Sequence, residues 1–332
     1  MPAIRDSASS RALISIVIPA LNEMESIPAL EKELLEVLEP LPYDFEFIVV
    51  DNASTDGTGE EVTAICLRDP RWKYVRFSRN FGVESSITAG YRVALGDAII
   101  VLYSDLQDPP SVIPEFLDKW REGYDVVYGV RTVRPGDAKW RNGMVSVVYR
   151  IISVLAEVEI PRNAGDFRLI SRQVRDALET CSEYNRYMRG LIAWLGFQQV
   201  GVEYERRARK AGDSKAPLGH VIIFALNAFT SFSLKPLRMF TVLGFGLVVV
   251  SFLAVPVYIY LSITGDPPPG ITTVIVLLLL GIGINSLGIG ILGEYLGRTY
   301  AETKRRPLYV VAEAVNVDRA RLLNGPGQMP RT

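Results

Sequence analysis

The chain has 332 residues and a formal net charge of −1, with one histidine and two cysteines. Its length allows one large or two ordinary domains, and its charge gives no general reason to expect nucleic acid as a partner. The single histidine, His220, lies far from any acidic cluster, and the cysteines have no CxxC spacing. These counts nearly exclude a serine–histidine–aspartate triad, a cysteine–histidine pair and a zinc site, and they suit a reducing compartment.

Apolar runs of strand type alternate with stretches of helical periodicity through the first part of the chain. This alternation predicts βαβ units and a mainly parallel sheet, so the expected fold class is α/β. The predicted strands are 13–19, 45–50, 72–78, 97–103 and 125–130, and the predicted helices are 24–38, 58–67, 83–94 and 112–121.

Polar residues recur directly after four of these strands, namely Glu23, Asp51, Arg79 and Asp105. In an open α/β sheet the carboxyl ends of parallel strands share one edge, where ligands bind, so we expect the four to converge on one crevice. The sequence has neither a glycine-rich dinucleotide fingerprint nor a P-loop. A nucleotide diphosphate would therefore be held here by carboxylates and a metal ion.

The stretch SDLQDPP at 104–110 places two carboxylates and one amide after the fourth strand. Oxygen ligands of this kind suit Mg²⁺ or Mn²⁺ better than zinc or copper. The candidate metal ligands are therefore Asp105, Gln107 and Asp108. The residues alone leave a second interpretation open, in which this stretch is an acidic turn that caps the next helix.

Two long uncharged segments follow the polar part of the chain, at 239–263 and 271–293. Each is long enough to cross a hydrocarbon core, which takes about 20 helical residues, so we predict a transmembrane hairpin over 238–297. Lysine and arginine flank the hairpin but are missing from its turn, which predicts that the N-terminal domain and both termini are cytoplasmic. The expected location is the cell membrane, and five glycines in the second segment suit close helix packing within or between chains.

The remaining segments complete the predicted domain plan. An apolar run bounded by Lys215 and Lys235 is typical of an amphipathic helix that lies on the membrane surface. The plan consists of a flexible N-terminus at 1–11, a cytosolic domain at 12–213, the interfacial helix at 214–237, the hairpin and a cytosolic extension at 298–332.

Seven segments of the chain carry further sequence motifs. They are PALNE at 19–23, VDNASTDGT at 50–58, SRNFG at 78–82, SDLQDPP at 104–110, GVR at 129–131, AGDFRL at 164–169 and the stretch 204–215. In order and spacing they resemble family 2 glycosyltransferases with a GT-A fold, over roughly residues 12–310. They most resemble the polyprenyl-phosphate glycosyltransferases related to dolichol-phosphate mannose synthase. The predicted two-helix anchor is similar to that of the subgroup acting on a bacterial lipid carrier.

The resemblance implies transfer of a sugar from a nucleotide sugar, such as UDP-glucose, to a polyprenyl phosphate, such as undecaprenyl phosphate. It implies dependence on Mg²⁺ or Mn²⁺, inversion at the sugar, a membrane partner and a homo-oligomer such as a tetramer. The acceptor phosphate would be the nucleophile, because the second pKa of a phosphate monoester is about 6 and no strong base is needed. The donor-binding residues it implies are Pro19, Leu21, Glu23, Asp51, Arg79 and Asp105.

Arginines suit the acceptor phosphate because their planar fork matches phosphate oxygens. The residues expected to act in catalysis are Asp105, Arg131 and Asp166, with Asp166 as the fallback base. Asp166 has an alternative role as a structural cap or as an orienter of Arg168. The candidates for acceptor binding are Arg131, Arg168, Arg206 and Arg209, all within segments that carry the resemblance.

Two positions depart from the family pattern. Tyr103 stands where a carboxylate is common, and Asn52 stands where a second aspartate is common. Metal ligation would then depend mainly on Asp105, and a cation should bind mainly together with the nucleotide.

Two other functions stay open. A processive polysaccharide synthase would usually show a QxxRW motif and more transmembrane helices, and neither is found. A membrane-bound subunit that binds nucleotide sugars without catalysis is favoured slightly by the Tyr103 departure.

Overall fold

The computed structural model of the protein describes residues 11–132, 164–184, 186–207, 235–264 and 270–318. The strands within these ranges are β1 (Leu13–Ala20), β2 (Asp44–Asp51), β3 (Trp72–Phe77), β4 (Ala98–Val101), β5 (Val126–Arg131), β6 (Ala164–Ser171), β7 (Gln199–Tyr204) and β8 (Val311–Val315). The helices are α1 (Ile27–Leu38), α2 (Thr58–Arg68), α3 (Val83–Val93), α4 (Ile113–Arg121), α5 (Arg172–Thr180), α6 (Met188–Trp194), α7 (Lys235–Ile263) and α8 (Ile271–Thr303).

The strands of the described ranges form one sheet in the order β7-β5-β6-β4-β1-β2-β3-β8. Strands β1 to β4 run parallel, which confirms the predicted α/β class with a mainly parallel sheet. Strand β6, which the sequence patterns did not predict, inserts between β4 and β5 and is antiparallel to both. Strand β8 adds an antiparallel edge beside β3.

Helices cover both faces of the sheet. Along β1, Ile14, Ile16 and Ile18 belong to the core that includes α1, α2 and α4, whereas Val17 belongs to the core that includes α3, α5 and α6. This alternation follows from the two-residue period of a strand. Gly90 of α3 lies so close to Val17 that a β-carbon at that position would overlap the valine. Strands β1, β2 and β4 are therefore buried along nearly their whole length, as their largely apolar sequences require.

The loops at the carboxyl ends of β1, β2 and β4 are held in unusual conformations. Asn22, Ala53 and Leu106 have φ values of 56°, 65° and 56°, a left-handed region that non-glycine residues seldom adopt. Hydrogen bonds tie the first two loops together: the Asn22 backbone N–H donates to Ser54 Oγ at 2.9 Å, and the Thr55 backbone N–H donates to Asn22 Oδ1 at 2.9 Å. The predicted convergence of these strand ends on one edge is confirmed.

Helices α7 and α8 cover the two uncharged segments, and α7 begins three residues before the predicted hairpin. Phe240 packs against Gly288 so closely that a side chain at Gly288 would overlap its ring, in line with the predicted role of glycine in helix packing. In the part of the chain that the structure describes, however, no helix combines the length and apolar character needed to cross a membrane. The predicted transmembrane hairpin is therefore not supported, and the homo-oligomer stays a prediction.

The segment after α8 returns to the N-terminal domain. The Tyr309 ring stacks on Phe77 with centroids 4.9 Å apart, and its hydroxyl accepts a hydrogen bond from Arg92 at 3.1 Å. The backbone N–H of Ser78 donates to the carbonyl of Val310 at 2.9 Å. The sequence predicts a possible packing strand at 308–311. The structure has this strand as part of the sheet, but slightly later in the chain, as β8.

Several predicted features lie outside the described residues, and the predicted domain boundaries are untested. The undescribed features are most of the N-terminus (1–10), the interfacial helix up to residue 234, Arg209 and the end of the extension (319–332).

Candidate active site

A cavity of about 330 Å³ opens at the carboxyl ends of β1 and β4. Pro19, Leu21 and Glu23 line it from the β1 side, and Tyr103 and Asp105 line it from the β4 side. Four of the six predicted donor-binding residues therefore meet in one place. The remaining wall is contributed by Ala20, Asn52, Asn80, Gly82, Val83, Ser86 and Ser104.

Asp51, the last residue of β2, does not line this cavity. It is fully buried, and its Oδ1 accepts hydrogen bonds from the backbone N–H and the hydroxyl of Ser54, at 2.8 and 2.5 Å. Its Oδ2 accepts from the Tyr74 hydroxyl at 2.8 Å. The carboxylate therefore shapes the turn after β2, and its predicted direct contact with the donor stays a prediction.

Asn52, the departure next to Asp51, joins the ends of β2 and β3. Its Oδ1 accepts from the backbone N–H of Phe81 at 2.8 Å, and its Nδ2 donates to Asn80 Oδ1 at 2.9 Å. An aspartate could not make the second bond, because an ionised carboxylate has no donor. The amide of Asn52 thus supplies both the acceptor for the Phe81 N–H and the donor for Asn80.

Arg79 faces a second cavity, of about 290 Å³, next to the first. Asn80 lines both cavities. The guanidinium of Arg79 lies 3.9 Å from the ring centroid of Phe81 and donates to the carbonyl of Asn80 at 3.0 Å. The predicted donor contact of Arg79 would therefore be made from the side of this second cavity.

The predicted metal ligands have different surroundings. Asp105 lines the first cavity, and its Oδ1 accepts from the backbone N–H of Gln107 at 3.1 Å. Asp108 is fully buried and accepts from the Tyr204 hydroxyl at 2.6 Å. Among the described residues no group of three or more histidine, cysteine, aspartate or glutamate side chains could hold a metal ion. Asp105 is thus the one predicted ligand that lines the cavity, and its carboxylate oxygens are of the kind that suits Mg²⁺ or Mn²⁺.

Two predicted acceptor-binding arginines converge on Asp108. Arg131 Nη2 lies 3.8 Å from Asp108 Oδ2, and Arg206 Nε lies 3.3 Å from Asp108 Oδ1. Burial alone would lower the pKa of Arg131, but the hydrogen bond to the Tyr204 hydroxyl and the charge of Asp108 raise it. Arg206 also reaches toward the first cavity, with its Nη2 3.9 Å from Asp105 Oδ2. A positive cluster therefore borders the carboxylate of the cavity.

Arg168 stands apart from this cluster. It is buried, donates to the carbonyl of Gly165 at 2.8 Å and lies 4.0 Å from Asp166 Oδ1. Its contacts join neighbouring parts of β6, so its predicted role in acceptor binding remains untested.

Asp166 is held by two residues whose roles the sequence did not reveal. Arg189 donates to both of its oxygens, at 2.6 and 2.7 Å, and the Tyr103 hydroxyl donates to Oδ2 at 2.8 Å. Burial by itself would raise the pKa of Asp166, but the paired Arg189 lowers it to about 2. The carboxylate is therefore ionised, and its oxygens already accept hydrogen bonds from Arg189 and Tyr103. This favours a structural role of Asp166 over the role of general base. No sequence signal marked Arg189, because its partner is 23 residues away.

Comparisons with known proteins identify the family of the chain. Residues 15–186 match the model of glycosyl transferase family 2. The chain belongs to this family, and it is a glycosyltransferase.

The chain is similar over nearly its whole length to particular members. It is 40% identical over 309 residues to the uncharacterized glycosyltransferase YkcC of Bacillus subtilis, covering 93% of this chain and 96% of the relative. It is 38% identical over 299 residues to the bactoprenol glucosyl transferase of Shigella phage SfV, covering 90% and 97%. A solved structure of glucosyl-3-phosphoglycerate synthase from Mycobacterium tuberculosis, with Mn²⁺, UDP and phosphoglyceric acid, matches at 17% identity with a TM-score of 0.45, covering 66% and 76%.

Proposed function

We propose that the protein transfers glucose from UDP-glucose to a polyprenyl phosphate, with undecaprenyl phosphate as the acceptor. The observation that carries the proposal is the position of Arg206 between Asp105, which lines the cavity, and Asp108, which gathers the arginines. This arrangement suits a donor diphosphate and an acceptor phosphate side by side. The bactoprenol glucosyl transferases, at 37–38% identity, support the choice of sugar and lipid.

The donor would lie in the first cavity, with its diphosphate near Asp105. Mg²⁺ or Mn²⁺ would be held by Asp105, with Gln107 nearby, and when bound it would offset the negative charge that develops on the departing diphosphate. Glu23, Asn52 and Asn80 also line this cavity and would supply polar atoms to the nucleoside.

The acceptor phosphate would be held by Arg131 and Arg206. One of its oxygens attacks the anomeric carbon of the sugar, and the bond from that carbon to the donor diphosphate breaks. The electron pair leaves with UDP, so a single displacement inverts the configuration. Since the acceptor is largely a dianion near neutral pH, no proton has to be removed by the protein. This agrees with an Asp166 that is already engaged by Arg189 and Tyr103.

We also propose that the reaction takes place at the cytoplasmic face of the cell membrane. A polyprenyl acceptor resides in a bilayer, and the arginine cluster has to meet its phosphate at the bilayer surface. Flotation of the protein with vesicles that contain anionic lipid tests this location separately from activity.

Incubation of the purified protein with Mg²⁺, labelled UDP-glucose and undecaprenyl phosphate tests the reaction. We expect a single labelled product that extracts into organic solvent and is missing when undecaprenol replaces its phosphate. A labelled polymer would instead identify a processive synthase, and donor binding without turnover would identify a binding subunit. Either of these results would overturn the proposal.

A further inference from the structure

The second cavity contains an acidic residue with no part in the proposed reaction. Glu84, in the first turn of α3, lines it together with Arg79, Tyr184 and Arg186. Its neighbours Gly82, Val83 and Ser86 line the first cavity instead. The start of α3 therefore forms the partition between the two cavities, and Glu84 lines the second cavity and not the first.

Glu84 connects this partition to α6. Its Oε2 accepts a hydrogen bond from the backbone N–H of Met188, the first residue of α6, at 3.3 Å. The next residue, Arg189, makes the two short hydrogen bonds to Asp166. Asp166 in turn accepts from Tyr103, which lines the donor cavity. One chain of contacts thus runs from Glu84 through α6 to the floor of the donor site.

Charged and titratable groups from several elements face Glu84. The charged groups are one carboxylate and four arginines, and three neutral tyrosines complete the set. Burial and the negative charge of Asp166 raise the pKa of Glu84 to about 7, although Arg189 and Arg168 oppose the shift. The groups concerned are Asp166, Arg168, Arg189, Arg79, Arg186, Tyr91, Tyr103 and Tyr184.

We propose that Glu84 is a positioning residue whose carboxylate holds the start of α6, and through it Arg189 and Asp166, against the donor cavity. An ionised carboxylate accepts the Met188 N–H more strongly than a protonated one does. Protonation therefore loosens α6 and misplaces the Asp166–Tyr103 pair. This inference rests on the proposed transferase reaction only because its first test measures kcat.

The pH dependence of kcat for the wild type and for Glu84→Gln tests the idea. Wild-type kcat should fall about tenfold between pH 8 and pH 6, because a group with a pKa of about 7 is about nine-tenths protonated at the lower pH. The introduced amide cannot titrate and, like the protonated carboxyl, is an uncharged acceptor for the Met188 N–H. The kcat of the variant should therefore stay near the wild-type value of pH 6 and keep only a limb from the acceptor phosphate. Glu60→Gln, at an exposed glutamate in the first turn of α2, should keep the wild-type profile. A Glu84→Gln profile that matches the wild type would overturn the proposal.

A second measurement needs neither activity nor a variant. Hydrogen exchange of the wild-type peptide that spans 188–194, corrected for the intrinsic effect of pH, should show weaker protection at pH 6 than at pH 8. The helix α1, which is remote from Glu84, serves as the internal reference. Equal protection of α6 at both pH values would overturn the role of Glu84 even if transfer occurs. If the protection of α6 is weaker at pH 6 but no sugar transfer is found, the proposed function is overturned and the role of Glu84 is not.

Discussion

The hydroxyl of Tyr103 donates a hydrogen bond to the carboxylate of Asp166 at 2.8 Å, across 63 residues of sequence. The resemblance of the sequence motifs predicts a carboxylate at the position of Tyr103. In this protein the position instead provides a neutral donor to an aspartate that Arg189 already neutralises. Tyr103 thus adds no negative charge beside Asp105 in the cavity wall, and a carboxylate at this place would repel Asp166.

Removal of this hydroxyl should weaken the site without unfolding the protein. In Tyr103→Phe the ring remains, and Asp166 keeps both bonds from Arg189. Since a hydrogen bond to a charged group contributes about 1.5–3 kcal/mol, we expect the free energy of unfolding to fall by roughly that amount. Urea titration followed by tryptophan fluorescence measures it. A stability equal to that of the wild type would contradict the contact.

Asp166 should make the protein sensitive to acid. Its pKa is about 2 in the folded protein, below the ordinary value of about 3.9, so its ionised form favours folding. The contribution, about 2–3 kcal/mol, is fully present above about pH 4 and is lost as the pH falls toward 2. In Asp166→Asn the free energy of unfolding should be lower at neutral pH and should depend less on pH in the acid range. Thermal unfolding at a series of pH values checks both effects, and an unchanged acid dependence would count against the assignment.

Asp105 should be required for transfer. Its carboxylate lines the donor cavity at the surface of the domain and accepts the backbone N–H of Gln107, so Asp105→Ala should fold and lose at least about 10²-fold in kcat. The dependence of UDP binding on Mg²⁺, measured by calorimetry, should disappear as well. Asp118→Asn, at an exposed carboxylate of α4, is the matched control and should behave as the wild type. Activity near the wild-type level in Asp105→Ala would refute the assigned role.

Arg131 should act on the lipid acceptor and not on the donor. Arg131→Ala removes one charged partner of a bound phosphate, so the KM for undecaprenyl phosphate should rise about 10- to 100-fold while the KM for UDP-glucose changes little. Initial rates with each substrate varied in turn separate the two constants. Arg121→Ala, at the exposed end of α4, provides the control. An unchanged dependence on the lipid would remove Arg131 from the acceptor site.

The C-terminal strand should stabilise the catalytic domain. Tyr309 is buried against Phe77 and is hydrogen bonded to Arg92. Tyr309→Phe loses only the hydrogen bond and should cost about 1 kcal/mol, whereas Tyr309→Ala leaves a cavity and should cost about 3–5 kcal/mol. Thermal unfolding of both variants measures the difference. Equal stabilities of Tyr309→Phe and Tyr309→Ala would mean that the segment leading into β8 does not pack as described.

The sequence by itself determined the α/β class, the parallel strands and the edge where the site lies. Apolar runs separated by helical periods require a sheet buried on both faces, and the polar residues that end those runs must then meet at one edge. Of the four polar residues expected on this basis to converge, Glu23 and Asp105 line one cavity, whereas Asp51 is buried and Arg79 lines the second cavity. Local pattern is sufficient for Glu23 and Asp105, because each is fixed by the strand that it follows.

Only the tertiary structure decided which side chains are partners. Strand β6 enters the sheet antiparallel between β4 and β5, and this register brings Asp166 to Tyr103 and Arg189. The pairing of β5 with β7 places Arg131 opposite Tyr204, and both then meet Asp108. These contacts join residues far apart in the chain, and hydrophobic periodicity carries no information about such pairs. The difference between a carboxylate that lines the cavity, Asp105, and one buried as a partner of arginines, Asp108, therefore became visible only in the folded chain.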